Sequence, residues 1–134
     1  RPCRKPGCGA AGKCPEVDFC AIVAGLSDED IGALAEWYAG LDYVPRVQEY
    51  DPVLAGQGAV LHAQHCESCH GGGGSRPQDQ ASILRGQPKD YLSSAITDFR
   101  QERRVAVAEM HVSLQALSEH EIAALVEFYA SPRD

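Results

Sequence analysis

The chain has 134 residues, of which 12 are basic, 19 are acidic and six are cysteine, and its formal net charge is −7. This length allows one ordinary domain or two very small ones, and the acidic charge argues against nucleic acids and anionic membranes as partners, because both select basic surfaces. The sequence has no apolar run of about 18 residues and opens without the apolar core of a signal peptide. We therefore expect a soluble chain with protein partners, from which any export signal has been removed.

The first 20 residues contain four cysteines, Cys3, Cys8, Cys14 and Cys20, at spacings of five, six and six. Zinc sites usually pair cysteines separated by two to four residues, and the common iron–sulfur spacings are also closer. Two disulfides are the better interpretation, because short segments with little core are often cross-linked in oxidising compartments. The pairing stays open among three connectivities, and a metal site or free thiols are the alternatives.

One helix occurs twice, since the stretch 26–41 overlays on 117–132 without a gap. Ser27 matches Ser118, and each is followed three residues later by an acid, which is the pattern of a capping box. Apolar residues at helical spacing predict one buried face on each copy. They are Ile31, Leu34, Ala35 and Tyr38 in the first copy, and Ile122, Leu125, Val126 and Tyr129 in the second. Trp37 in the first copy is either a core residue or an interface residue.

The segment "CESCH", Cys66 to His70, has the C-x-x-C-H pattern of c-type haem attachment. Two thiols in this pattern form thioethers with the haem vinyl groups, and the histidine binds iron. A redox C-x-x-C or half a zinc site is the alternative, but the βαβ context and the second ligand pair that these need are missing. A helix leads into the motif, with Asp51 as its N-cap, Pro52 at its first position, and a predicted buried side formed by Val53, Val60 and Leu61.

The glycines after His70 do not form a phosphate-binding loop, because no Lys-Ser/Thr follows them, and we expect a flexible loop. A further helix starts at Pro88. Its apolar positions are Tyr91, Leu92, Ala95, Ile96 and Phe99. Arg100, Arg103 and Arg104 at its end could neutralise haem propionates or contact a partner, or could be solvated residues that favour the helix dipole. Tyr91, Arg100 and Arg104 are candidates for residues that surround the haem.

Met110 is the single methionine of the chain and lies 40 residues after His70, where a loop is expected between two helical patterns. We predict that it is the second axial ligand of the iron, although methionine also serves as a core residue. The adjacent His111 is the rival ligand. His62, His65 and His120 are predicted to be surface or helix-face residues.

The first copy of the repeat has no C-x-x-C-H motif, and the overlay puts Phe19 opposite Met110. We therefore predict an all-α protein with two cytochrome c-like parts. Residues 1–47 form a shortened remnant without haem, and residues 48–134 form a domain with one covalently bound haem c. His/Met ligation leaves no open iron site and suits electron transfer.

Several stretches resemble the cytochrome subunit of flavocytochrome c sulfide dehydrogenase, a relative of the dihaem periplasmic cytochromes c. They are "GAVLHAQHCESCH", "ILRGQPKDYL", "AITDFRQERR" with Met110 following, "LVEFYAS" and the linking "LDYVPRVQEYDPVLAGQG". By this resemblance the haem cysteines are Cys66 and Cys69, and the axial ligands are His70 and Met110. That subunit generally carries two haems, whereas this chain has one motif.

The resemblance implies a periplasmic, non-catalytic electron-transfer subunit in a heterodimer with a flavoprotein. Sulfide would reduce FAD in that partner, and electrons would leave through the haem to a downstream acceptor. In this hypothesis the haemless part forms the docking surface. A free-standing monohaem shuttle is the alternative, and a haem enzyme or gas sensor, which needs an open iron site, is a third hypothesis.

Overall fold

The structure is a computed structural model that describes residues 23–76 and 81–132. In this part of the chain all regular elements are helices, as predicted. They are α1 (Asp28–Ala39), α2 (Pro52–His65), the short turn α3 (Gly71–Gly74), α4 (Lys89–Arg100), α5 (Ala108–Ala116) and α6 (Glu119–Ala130). Among these described helices, none combines the length and the apolar character needed to cross a bilayer.

The chain divides into two compact units, Arg1–Tyr43 and Val44–Asp134. The division falls after residue 43, whereas the sequence placed it after residue 47. The four cysteines for which disulfides are predicted, and Phe19, lie outside the described residues. The cysteine pairing therefore stays a prediction.

The predicted helix starts are confirmed by their hydrogen bonds. Ser27 Oγ accepts the Asp30 N–H at 3.1 Å, and Ser118 Oγ accepts the Glu121 N–H at 3.3 Å. In both boxes the acid accepts the serine N–H in return. Asp51 Oδ1 accepts two N–H groups of the first turn of α2. These caps satisfy backbone donors that would otherwise lack partners.

Helix α6 forms the centre of the second unit. Its buried residues are Ile122, Ala124, Leu125, Val126, Tyr129 and Ala130. The predicted face of the second repeat copy is therefore confirmed. Glu127 on the same helix accepts the Asp51 N–H at 2.8 Å and pairs with Lys89 Nζ at 2.5 Å, so it connects the starts of α2 and α4 to α6.

The buried face of α2 differs from the prediction. The buried residues are Ala55, Gly58 and His62. Val53 and Val60 are 70% and 57% exposed, so their predicted burial is wrong, and Leu61 is partly buried against the core. The buried stripe consists mainly of small residues, which hydrophobicity alone does not identify as a packing surface.

Close approach of α2 to α6 explains this choice of residues. A Cβ atom on Gly58 would lie 2.1 Å from the carbonyl oxygen of Ala124 and 2.7 Å from Cβ of Phe128. No larger side chain fits between the two helix backbones at this point. Valine at this face would separate the helices, and the valines of α2 therefore point to solvent.

The apolar stripe of α1 is exposed, so its predicted burial is wrong. The exposed fractions are 42% for Ile31, 43% for Leu34, 59% for Trp37 and 65% for Tyr38. Ala35 is also exposed, and no residue of α1 is buried. Within residues 23–43, the described part of this unit, α1 has no second complete helix to pack against.

Helix α4 begins after Pro88 as predicted, and its core side is largely confirmed. Leu92 is 3% exposed, and Ile96 and Phe99 pack against the same cluster. Tyr91 is 50% exposed and is not a core residue.

Helix α5 occupies the segment for which a loop was predicted, so that prediction is wrong. Its N-cap, Val107, makes no side-chain capping hydrogen bond. The start therefore lacks the capping pattern that marks α1, α2 and α6 and the proline that marks α4. Leu114 and the following Leu117 are buried in the core, and their packing rather than a cap accounts for the helix.

We predict that Gly58→Ala destabilises the protein by about 3 kcal/mol, because the added methyl group must push α2 away from α6. The matched control is Gly56→Ala on the same helix, where a Cβ meets nothing within 4 Å. That control should be neutral or more stable by about 0.5–1 kcal/mol. Urea unfolding followed by circular dichroism measures both variants. Equal stability of the two would contradict the close helix contact.

Candidate haem site

The C-x-x-C-H motif starts at the C-terminal end of α2. The backbone N–H groups of Cys66 and Glu67 both donate to the carbonyl oxygen of His62, at 2.8 and 2.9 Å. The N–H of His70 in turn donates to the Cys66 carbonyl at 2.8 Å. The helix end therefore holds the motif in a compact turn and presents Cys66, Cys69 and His70 from one short segment.

The His70 ring has one nitrogen bonded and one available. Its Nδ1 lies 3.0 Å from the backbone carbonyl oxygen of Ser82. A carbonyl only accepts, so Nδ1 carries the proton and Nε2 has a free lone pair. Among the described residues, Nε2 has no hydrogen-bond partner. This tautomer and second-shell bond are those of a histidine that ligates a metal through Nε2.

The two cysteines differ in their surroundings. Cys66 is partly buried against the core cluster, and burial raises the pKa of its thiol. Cys69 is exposed, and Ser68 Oγ lies 3.8 Å from its sulfur. One thiol thus lies at the apolar core and the other at the surface, so a group bound to both would have one edge inside and one edge near solvent.

The glycine segment after His70 forms the hydrogen-bonded turn α3, where the sequence predicted a loop. Gly72, Gly73 and Gly74 all have positive φ, between 65° and 78°. Glu67 accepts the Gly72 N–H at 2.7 Å and the Gly73 N–H at 3.0 Å. Glycine is needed here because other residues rarely adopt this backbone conformation. The turn is therefore tied to the C-x-x-C-H loop through Glu67.

His62 was predicted to lie at the surface, and this is wrong, since it is 2% exposed. Its Nδ1 lies 2.8 Å from the Tyr129 hydroxyl, and its Nε2 lies 2.6 Å from Glu67 Oε2. The spacing of Ala55, Gly58 and His62 along α2 is the signal that could have placed it on the buried face. His65 and His120 are exposed, as predicted.

The charges in this group follow from burial and hydrogen bonding. Burial lowers the pKa of His62, despite the opposing effect of Glu67. Bonds from Gly73, Gly72 and His62 lower the pKa of Glu67, and burial raises that of Tyr129 well above its usual value. Near neutral pH, His62 and Tyr129 are therefore neutral and Glu67 is ionised. Tyr129 donates to His62, and His62 donates to Glu67.

Met110 lies in the first turn of α5 and packs against the same core cluster as Cys66. Its rival His111 points its Nε2 toward Glu102 Oε1, at 3.9 Å, and is partly exposed. A core-facing thioether beside the cluster is better placed for an apolar cofactor than a side chain near a surface carboxylate. The ligand assignment itself stays a prediction.

The arginines of the α4 end bind protein groups. Arg100 pairs with Glu119 and donates to the Leu117 carbonyl. The Arg103 guanidinium donates twice to Asp98 Oδ1, at 2.8 and 2.6 Å. The guanidinium carbon of Arg104 lies 4.6 Å from the centre of the Phe99 ring. Tyr91 is 50% exposed. The assignment of Tyr91, Arg100 and Arg104 to the haem surroundings stays a prediction.

These residues fit a covalently attached haem c. His70 offers a free Nε2, Cys66 and Cys69 offer two thiols from the same turn, and Met110 offers a thioether beside the shared core. The donor set of one imidazole and one thioether is that of electron-transfer haems. Among the described residues there is no cluster of His, Cys, Asp and Glu that would hold a separate metal ion.

Comparisons with known proteins agree with this site. Residues 54–128 match the model of the family described as cytochrome c oxidase, cbb3-type, subunit III. Among solved structures, the chain is similar to reduced recombinant cytochrome c4 from Pseudomonas stutzeri, with 26% sequence identity and a TM-score of 0.68. The similarity covers 82% of this chain and 63% of that chain. No curated protein matches the chain significantly.

The matched range contains the whole C-x-x-C-H motif, Met110 and most of α6. The family implies covalently bound haem c and an electron-transfer role. These two findings support a cytochrome c domain, and the resemblance to the flavocytochrome subunit stays a prediction. Since the family model matches more than half of the residues, the chain belongs to the cytochrome c family represented by subunit III of cbb3-type cytochrome c oxidase.

Proposed function

We propose that this chain is the electron-transfer subunit of a periplasmic flavocytochrome of the sulfide dehydrogenase type. It holds one haem c through Cys66 and Cys69, with His70 and Met110 as the axial ligands of the iron. The bound haem supplies one-electron redox chemistry. Electrons arrive from FAD in a partner flavoprotein and leave to a downstream acceptor, and the chain itself is not catalytic.

The observation that carries electron transfer is the His70 ring. Because Nδ1 is bonded to the Ser82 carbonyl, Nε2 is the ring nitrogen that would bind iron. Met110 packs against the core that also contacts Cys66, which supports it as the second ligand. With both axial positions filled by the protein, the site suits electron transfer and disfavours oxygen activation or gas sensing.

Periplasmic localisation is proposed because disulfides and covalent haem belong to oxidising compartments.

The flavoprotein partner is proposed from the stretches that resemble the flavocytochrome subunit. Exposed apolar side chains on α1 support a protein partner. Trp37 and Tyr38 are more than half exposed, and Ile31 and Leu34 are exposed beside them. Aromatic residues of this kind are enriched in protein interfaces. In the proposal, the first unit docks the flavoprotein and the second unit carries the haem.

We predict one haem per chain, bound at Cys66 and Cys69. The mass of the intact, denatured protein should exceed the sequence mass by one haem, and Cys66→Ala with Cys69→Ala should remove that increment. The four cysteines near the N-terminus should carry none. A mass increase of two haems would contradict the proposal.

We predict that Met110→Leu leaves the haem covalently bound but removes the sulfur-to-iron charge-transfer band in the far red. The reduction potential should fall, because the thioether stabilises reduced iron, and the ferrous protein should bind carbon monoxide. Absorption spectra and a redox titration measure these changes. The adjacent His111→Gln is the control and should behave as wild type. The opposite pattern would make His111 the ligand.

We predict that the native protein purifies with a flavin-containing protein in equal amounts. The variant with Trp37→Ser and Tyr38→Ser should bind that protein about tenfold more weakly, because it loses two aromatic contacts, and its haem spectrum should not change. The control is Val47→Ser, which alters a residue that is 98% exposed in the second unit. A native chain that purifies alone, without flavin, would favour the free-standing shuttle.

A further inference from the structure

Among the residues that the structure describes, His62 is the one histidine that the core encloses. The proposed electron-transfer chemistry does not use it directly. It is 2% exposed, and its ring lies between Phe128 and Tyr129, with ring centres 5.3 and 5.5 Å away. A buried polar side chain is costly unless all its polar atoms have partners. Both ring nitrogens of His62 do have partners, so the group is built into the fold.

Both the side chain and the backbone of His62 bond to residues of the haem-attachment turn. Its carbonyl oxygen accepts the N–H groups of Cys66 and Glu67, at 2.8 and 2.9 Å. Its Nε2 donates to Glu67, and the carboxylate of Glu67 accepts the N–H groups of Gly72 and Gly73. One residue thus holds the first cysteine of the motif and the turn that follows the iron-binding histidine.

Tyr129 begins this chain of hydrogen bonds and lies beside the Cys66 sulfur. Its hydroxyl donates its hydrogen to His62 Nδ1 at 2.8 Å and accepts from the Cys66 thiol, so it borders the sulfur that would form the haem thioether. The chain of hydrogen bonds therefore runs from Tyr129 on α6 through His62 to Glu67, which binds the amides of Gly72 and Gly73. Each donor has one acceptor, so the direction of the chain is defined.

We propose that His62 is a positioning residue for the haem, which acts through Glu67 and Tyr129 to hold Cys66 and the turn after His70, and thereby sets the reduction potential. The inference rests on the proposed haem attachment at Cys66, Cys69 and His70. A held turn keeps the half-buried His70 ring in place. Because ferric haem carries one more positive charge than ferrous haem, water entering a loosened loop would favour the ferric form.

The test uses the full-length haem protein and the variants His62→Phe, His62→Gln and Tyr129→Phe. Phenylalanine removes both bonds of His62, whereas glutamine can donate to Glu67 and accept from Tyr129. His62 and Tyr129 are neutral near pH 7, since burial opposes their charged forms, so none of these variants changes the net charge of the site. The control is His65→Gln, an exposed position on the same helix.

In His62→Phe, the ratio of reduced to oxidised haem at a fixed ambient potential should fall about threefold or more, because outer-shell partners tune the metal through its ligands. The Gly72 and Gly73 amides should exchange with solvent about tenfold faster. Tyr129→Phe should shift both readouts in the same direction, and His62→Gln should return them toward wild type.

A purely structural role for His62 would lower the unfolding temperature and leave the haem ratio and the amide exchange at the His65→Gln values, and that result would overturn the inference. If His62→Phe fails to retain haem, the haem ratio and the amide exchange of Tyr129→Phe and His62→Gln test the inference instead. A wild-type chain without covalent haem would instead refute the proposed function. The two failures are therefore distinguishable.

Discussion

The contact between Gly58 and Ala124 sets the geometry on which the haem-binding unit depends. At this point the backbones of α2 and α6 approach so closely that no Cβ fits between them. One turn further along α2, His62 comes to face Phe128 and Tyr129 of α6. The C-x-x-C-H motif begins where α2 ends, so the same crossing determines where Cys66 and His70 lie relative to α6.

The site is surrounded by hydrogen bonds that orient its ligands. Ser82 directs the His70 ring through Nδ1, and Glu67 holds the glycine turn that follows. The buried His62 and Tyr129 stay neutral, and the negative charge of Glu67 lies at the partly exposed end of the chain of bonds and is shared among three donors. This arrangement avoids an unpaired buried charge, whose cost would be several kcal/mol or more.

The two copies of the repeated helix show how tertiary context changes one sequence pattern. Both copies form a capping box and a helix of 12 residues. In α6 the apolar stripe is the core of a domain, and Glu127 bonds both Lys89 and Asp51. The matching Glu36 is exposed, as is the whole stripe of α1. The shared local signals specify a helix, and the neighbours decide whether its apolar face is a core or a surface.

By itself, the sequence determined the starts of α1, α2, α4 and α6, the all-α fold and the haem-attachment motif, because helix-start signals and C-x-x-C-H are local patterns whose physics lies within a few residues. It also identified the buried face of α6, where large apolar side chains recur at helical spacing. It did not determine the buried face of α2, since Gly58 and Ala55 have almost no hydrophobic signal and are buried only because α6 lies against them. Tertiary structure likewise decided three further features, because each depends on a partner distant in sequence. His62 is buried against Tyr129, and Gly74 of the glycine turn also packs closely against Tyr129. Helix α5, which carries Met110, depends on the core contacts of Leu114.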